Sequence, residues 1–245
     1  MEDKKTIIIL HGWGLNGEKY NGLAQILALK YKVFAPDLPG FGKNLTDKEL
    51  YLMDYANFLK DFIKDKKLKN IVLLGHSFGG RVITKFLSIY NAKEYGIKAV
   101  ILTGTPLTKR KMSLRKLIGR LMAKMGKGVL SMLPKSTSED SQDFLRKIVY
   151  TIIGEWDYYK ANKMRKTFTH IISENLQTYL DKINVPTLIV WGKNDTITPL
   201  SIGIKIQKLI ADSQLIIIKN ETHKLPYANP QIFSQKIIPF VDKLN

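Results

Sequence analysis

Short apolar runs rich in Ile, Val and Leu recur along the chain, at Thr6–Leu10, Lys32–Ala35, Asn70–Leu74, Ala99–Leu102, Thr187–Trp191 and Gln214–Ile218. They show no polar alternation, so each is expected to be buried on both faces. A strand in a parallel sheet covered by helices meets that requirement. Between the runs lie segments with helical spacing. Asp54–Phe62 carries Tyr55, Phe58, Leu59 and Phe62, and Gly80–Tyr90 carries Val82, Ile83, Phe86, Leu87 and Tyr90. Ser201–Ile210 and Ile232–Leu244 repeat the pattern. Strands alternating with helices predict an α/β fold with a mostly parallel central sheet flanked by helices. Right-handed crossovers then bring the C-terminal ends of the strands to one edge, where open sheets of this kind bind ligands.

The alternation breaks between residues 106 and 181. Leu114–Met125 and Gln142–Ile153 read as helices, and no convincing strand is present. The expected organisation is a core domain over residues 1–105 and 182–245, with a helical cap inserted over 106–181. The 245 residues suffice for one large domain with such an insertion.

Gly75-His76-Ser77-Phe78-Gly79 follows one predicted strand and opens one predicted helix. In that context Gly-x-Ser-x-Gly reads as a nucleophile elbow. The serine sits on a strained turn, and small residues two places on either side of it avoid clashes. The helix N-terminus after it favours developing negative charge. The plainer reading is a glycine-rich turn with a serine N-cap.

A serine nucleophile needs a base. His76 adjoins Ser77, but the turn should aim it away from the hydroxyl. His11 ends the first strand, and His170 sits in the insertion. His223 follows the last predicted strand and is the expected base. Asp195, after the Thr187–Trp191 strand, is expected to accept the His223 N–H and fix its tautomer. Glu221 is nearer in sequence but poorly placed for that task. The oxyanion donors expected are the backbone N–H groups of Phe78 and Trp13, the latter in the His11–Asn16 loop. The Trp13 indole is also expected to wall the substrate site. Trp156, Tyr158 and Tyr159 either line an acyl pocket or anchor the cap.

His-Gly-Trp-Gly (11–14), Asp-Leu-Pro-Gly-Phe-Gly (37–42), Gly-His-Ser-Phe-Gly-Gly (75–80), Trp-Gly-Lys-Asn-Asp (191–195) and Thr-His (222–223) together resemble the α/β-hydrolase superfamily, particularly its capped carboxylesterases. The resemblance spans nearly the whole chain. The 11–16 and 37–42 segments are also similar to the pimeloyl-acyl carrier protein methyl ester esterases. That family has an aromatic residue where this chain has His76. The resemblance implies hydrolysis of a carboxylic ester through an acyl-enzyme, on a small or carrier-bound acyl substrate, with no metal or organic cofactor. Carbon–carbon bond cleavage of a diketo-type acid and a non-catalytic ligand-binding role are the alternatives.

The formal net charge is +18. Lysine far outnumbers arginine, which suits a general compositional bias. Yet residues 95–138 hold no acid, while Arg110, Lys111, Arg115, Lys116 and Arg120 cluster there. Such a face would attract an anionic substrate or an acidic carrier protein. The bland reading is a solvated helix face. Nucleic acid is not expected, because no aromatic residues interleave with the basic cluster. The chain has no cysteine, no signal-peptide pattern and no apolar run long enough to span a membrane. A cytoplasmic protein is therefore expected.

Overall fold

The structure is a computed structural model and describes residues 4–107 and 164–244. The chain divides into two compact units, Met1–Lys109 with His170–Asn245, and Arg110–Thr169. The predicted helices at Leu114–Met125 and Gln142–Ile153 lie outside the described residues. Leu176 and Leu180, within the segment expected as cap, are fully buried in the core of the first unit. Their chain forms a 3-10 turn over Leu176–Lys182.

The first unit is built on a six-stranded sheet. Its strands are β1 (Thr6–Leu10), β2 (Lys32–Phe34), β3 (Ile71–His76), β4 (Ile97–Thr103), β5 (Thr187–Gly192) and β6 (Ser213–Ile218). Their order is β2-β1-β3-β4-β5-β6, and each adjacent pair is parallel. Among the described residues the helices are α1 (Asn21–Ala28), α2 (Leu52–Asp65), α3 (Phe78–Ile89), α4 (Arg165–Ser173), α5 (Leu200–Leu209), α6 (Leu225–Ala228) and α7 (Pro230–Asp242).

The unbroken apolar runs have a direct cause. Successive strand residues face opposite sides of the sheet, and both sides are covered. Ile8, Leu10, Ile71 and Leu73 pack with Tyr55, Leu59, Val82 and Phe86 of α2 and α3. Ile7, Ile9, Val72 and Leu74 pack with Leu23, Leu27, Phe233 and Ile237 of α1 and α7. Every residue of β1 is therefore buried. Full burial of each such side chain contributes about 1.5–3 kcal/mol.

Helix α1 was not expected from the sequence. It is one short helix whose Leu23 and Leu27, one helical turn apart, are its buried positions. So brief a pattern carries little periodicity. The register pairs Leu10 with Gly75 and His76 with Thr103, so the C-terminal ends of β1, β3 and β4 finish on one line. No helix among the described residues is long and apolar enough to cross a membrane.

Candidate active site

Ser77 stands between β3 and α3 with φ 52° and ψ −110°. A non-glycine residue there stores strain of about 1–3 kcal/mol, which surrounding bonds must hold. The Ser77 N–H donates to the Thr103 carbonyl at 2.9 Å, and the Ser77 carbonyl accepts the Gly80 N–H at 3.1 Å. Close packing explains the glycines. A Cβ on Gly75 would lie 2.6 Å from the Gly80 backbone, and one on Gly79 would lie 2.0 Å from the Leu10 carbonyl oxygen. Larger residues would push α3 off the ends of β1 and β3.

The loops after β5 and β6 are joined by backbone bonds. The Lys193 N–H reaches the Ile218 carbonyl at 2.9 Å, and the Asn194 N–H reaches that of Glu221 at 2.8 Å. This zipper brings Asp195 and His223 together, with His223 Nδ1 2.8 Å from Asp195 Oδ2. Asp195 is 5 % exposed. Its Oδ1 accepts the N–H groups of Ile197 at 2.9 Å and Thr198 at 2.7 Å. Its Oδ2 also accepts the Thr198 hydroxyl at 2.7 Å. Burial alone would raise the Asp195 pKa. The hydrogen bond and charge of His223, with the Thr198 bonds, outweigh it and hold the carboxyl below its ordinary range. Asp195 is thus a carboxylate, and the bond to it places the His223 proton on Nδ1.

The His223 ring lies against Gly104, the residue after β4. A Cβ there would stand 2.8 Å from His223 Cε1 and 2.9 Å from Nδ1. The His223 ring centroid is 4.8 Å from that of His76, the residue before Ser77. His76 does turn into the body of the protein, with Nε2 facing the His223 carbonyl at 2.9 Å and Nδ1 facing Tyr20.

Trp13, in the loop after β1, and Phe78, the first residue of α3, are the expected oxyanion donors, and their rings meet at 5.2 Å. Phe41 packs on Trp13 at 4.9 Å. His11 ties this loop to the 37–42 segment. Its Nε2 accepts the Leu38 N–H at 2.9 Å, while Nδ1 donates to the Gly12 carbonyl at 2.9 Å. Burial lowers the His11 pKa and favours this neutral form.

The remaining candidates separate from the site or lie outside the described residues. Glu221 Oε1 accepts from Asn229 Nδ2 at 2.8 Å. His170 pairs with Glu49 at 2.5 Å, and its ring lies 4.3 Å from that of Tyr51. Trp156, Tyr158, Tyr159, Arg110, Lys111, Arg115, Lys116 and Arg120 lie outside the described residues.

Gly104, Thr198 and Tyr20 are site residues that sequence reasoning missed. Thr-Gly-Thr after a predicted strand was a usable hint for Gly104. For Thr198 the only signal was its position three residues after Asp195, where a side chain readily hydrogen-bonds an aspartate. Nothing local marked Tyr20.

The sequence matches the family described as serine aminopeptidase, S33, over residues 1–227. A putative esterase/lipase 2 of Mycoplasma pneumoniae is 28 % identical over 264 residues, covering 98 % of this chain and 90 % of that protein. The pimeloyl-[acyl-carrier protein] methyl ester esterase of Wigglesworthia glossinidia brevipalpis is 26 % identical, with 98 % and 95 % covered. Among solved structures, an esterase from Exiguobacterium antarcticum superposes with a TM-score of 0.72 at 22 % identity, covering 99 % of this chain and 94 % of that one. With the parallel sheet and the strained Ser77 turn already in place, the match over most of the sequence means that the chain belongs to the serine aminopeptidase, S33, family of α/β-hydrolases.

Proposed function

We propose that the protein is a serine esterase that cleaves carboxylic esters through an acyl-enzyme on Ser77. The observation that carries this reading is the Asp195–His223 pair, 2.8 Å apart with its carboxylate buried, beside the residue that precedes Ser77. With Nδ1 protonated toward Asp195, His223 Nε2 is free to take the Ser77 proton as Oγ attacks the ester carbonyl. The backbone N–H groups of Trp13 and Phe78 stabilise the oxyanion. His223 then gives its proton to the departing alkoxide, which leaves as the alcohol. Water, activated by His223, attacks the acyl-enzyme, releases the acid and regenerates Ser77.

The substrate side rests on charge and on one relative. A strongly basic chain suits an acyl group bearing a carboxylate or carried by an acidic protein. The Wigglesworthia relative is named for an acyl-carrier-bound methyl ester. In this reading Trp13 walls the acyl site, and Trp156, Tyr158 and Tyr159 are further candidates for substrate binding. Arg110, Lys111, Arg115, Lys116 and Arg120 dock the acidic partner. The cysteine-free composition suits a cytoplasmic setting.

Turnover of p-nitrophenyl esters and labelling by a fluorophosphonate probe test the chemistry. Both are expected in the wild type and absent in Ser77→Ala. Wild-type turnover by Ser77→Ala would sink the mechanism. A panel of short esters, acyl-carrier methyl esters, diketo acids and aminoacyl anilides then assigns the bond cleaved. Reversing Arg110, Lys111, Arg115 and Lys116 to acids should impair carrier-bound substrate and spare small esters. Equal impairment of both would remove the docking role.

A further inference from the structure

We propose that Tyr20 and His76 are positioning residues, a hydrogen-bonded strut that sets the distance between the oxyanion loop and the loop bearing the base. This rests on the esterase reading. The strut is a continuous chain. The Gly12 N–H faces Tyr20 Oη at 3.2 Å, Tyr20 Oη faces His76 Nδ1 at 2.5 Å, and His76 Nε2 faces the His223 carbonyl at 2.9 Å. Tyr20 is fully buried and His76 is 1 % exposed.

The proton positions along the chain follow from its ends. A carbonyl only accepts, so His76 Nε2 carries a proton toward His223. In the neutral ring Nδ1 is then bare and accepts the Tyr20 O–H. The Tyr20 oxygen in turn accepts the Gly12 N–H. Each member thus donates toward His223. The surroundings favour these charge states. Burial, reinforced by the nearby His223, pushes His76 down to about 3. Burial also raises the Tyr20 pKa and keeps the phenol protonated.

Both ends of the strut are functional in the proposed mechanism. Gly12 precedes Trp13, an expected oxyanion donor. The other end is the backbone of His223 itself. His76 precedes Ser77, so nucleophile, base and oxyanion loop share one rigid link. The fit is tight, since a Cβ on Gly12 would lie 3.1 Å from His76 Nδ1. A network that only stabilised the fold would not need to end on these particular residues.

The test uses the full chain, with Tyr20→Phe, His76→Gln and His76→Leu. Long-range 1H–15N spectra of the imidazoles are recorded with kcat and KM for a p-nitrophenyl ester. In the wild type, His76 is expected neutral with its proton on Nε2 from pH 5 to 9. Tyr20→Phe is expected to lower kcat about tenfold with KM unchanged, the cost of about 1.4 kcal/mol in the transition state. His76→Leu is expected to shift the His223 Nδ1–H resonance, and His76→Gln, which keeps a donor for the His223 carbonyl, to restore it. If His76→Leu does not fold, Tyr20→Phe decides the case. A His76 proton on Nδ1 overturns the proposal. So does a wild-type kcat in Tyr20→Phe. A wild type without ester turnover would instead refute the esterase reading, and the strut would then be judged by the His76 tautomer and the His223 resonance.

Discussion

The Thr198 hydroxyl lies 2.7 Å from Asp195 Oδ2, the oxygen that also meets His223 Nδ1. It is 3.1 Å from that ring nitrogen as well. Thr198 thus holds the carboxylate in the orientation the histidine needs. Its main chain is fixed in turn, because the Trp191 Nε1–H donates to the Thr198 carbonyl at 2.8 Å. Thr198→Val keeps the shape and removes the hydroxyl. A hydrogen bond to a charged group contributes about 1.5–3 kcal/mol. The expected result is a kcat at least about tenfold lower with KM unchanged, recovered by Thr198→Ser. Steady-state kinetics on a soluble ester checks it, and an unimpaired Thr198→Val would show the hydroxyl to be dispensable.

Gly104 has φ +57°, and the His223 ring occupies the space its side chain would take. Gly104→Ala must therefore either displace the imidazole or move the end of β4. The backbone strain costs about 1 kcal/mol of stability. Displacing the base costs far more in rate, since errors of about 1 Å in placement can lose about 100-fold. The expected variant is folded, melts slightly lower and hydrolyses esters at least about 100-fold more slowly. Circular dichroism melting with kinetics separates these effects. Equal rates for variant and wild type would mean that the ring does not work in the position seen here.

How much of this was legible in sequence depends on how local each cause is. Ile7 to Leu10 announced a strand because burial on both faces leaves an unbroken apolar run. Gly75, Ser77 and Gly79 announced the elbow because its sterics act within a few residues. The meeting of Asp195 with His223 follows from placing each after a strand of one parallel sheet. Thr198, Gly104 and Tyr20 gain their importance only where loops from separate strands converge. A threonine near a turn or a tyrosine near a short helix looks ordinary in isolation. Helix α1 escaped because its buried residues, Leu23 and Leu27, define one turn rather than a periodic stripe.

Arg81, one turn into α3, is 2 % exposed. Its guanidinium donates to the carbonyls of Pro106 at 2.8 Å, Ile171 at 2.5 Å and Glu174 at 2.7 Å. It joins the chain leaving β4 to the chain returning at Ile171. Burial lowers its pKa to about 10, with Glu174 opposing, so it stays charged at neutral pH. Arg81→Met preserves bulk but strands these carbonyls. Leaving a buried acceptor unsatisfied costs about 1–3 kcal/mol. Urea unfolding should register a loss of that size. Arg81→Lys should recover only part, because an ammonium lacks the planar fork that reaches separated acceptors. Full recovery by lysine would show that charge, rather than this geometry, matters.

The buried His76 also sets how stability responds to acid. Its pKa falls from 6.5 in the free side chain to about 3 in the fold. Between those values the unfolded chain takes up a proton that the folded chain refuses. Its contribution to stability is complete above pH 6.5 and is lost progressively as pH falls toward 3. The full slope is about 1.4 kcal/mol per pH unit for one proton. Asp195 adds its own loss only at the acid end of this window, because its carboxyl titrates near 3.8 in the unfolded chain and lower in the fold, so it contributes little between pH 7 and pH 5. His11, also shifted downward, adds to the same trend. Replacing His76 by Gln removes one of these protons and leaves the His11 effect. Between pH 7 and pH 5 the wild type should therefore lose about 2 kcal/mol more unfolding free energy than His76→Gln. Urea melts at the two pH values measure the difference directly. Parallel losses in both proteins would mean that His76 protonates in the folded state as readily as in the unfolded one.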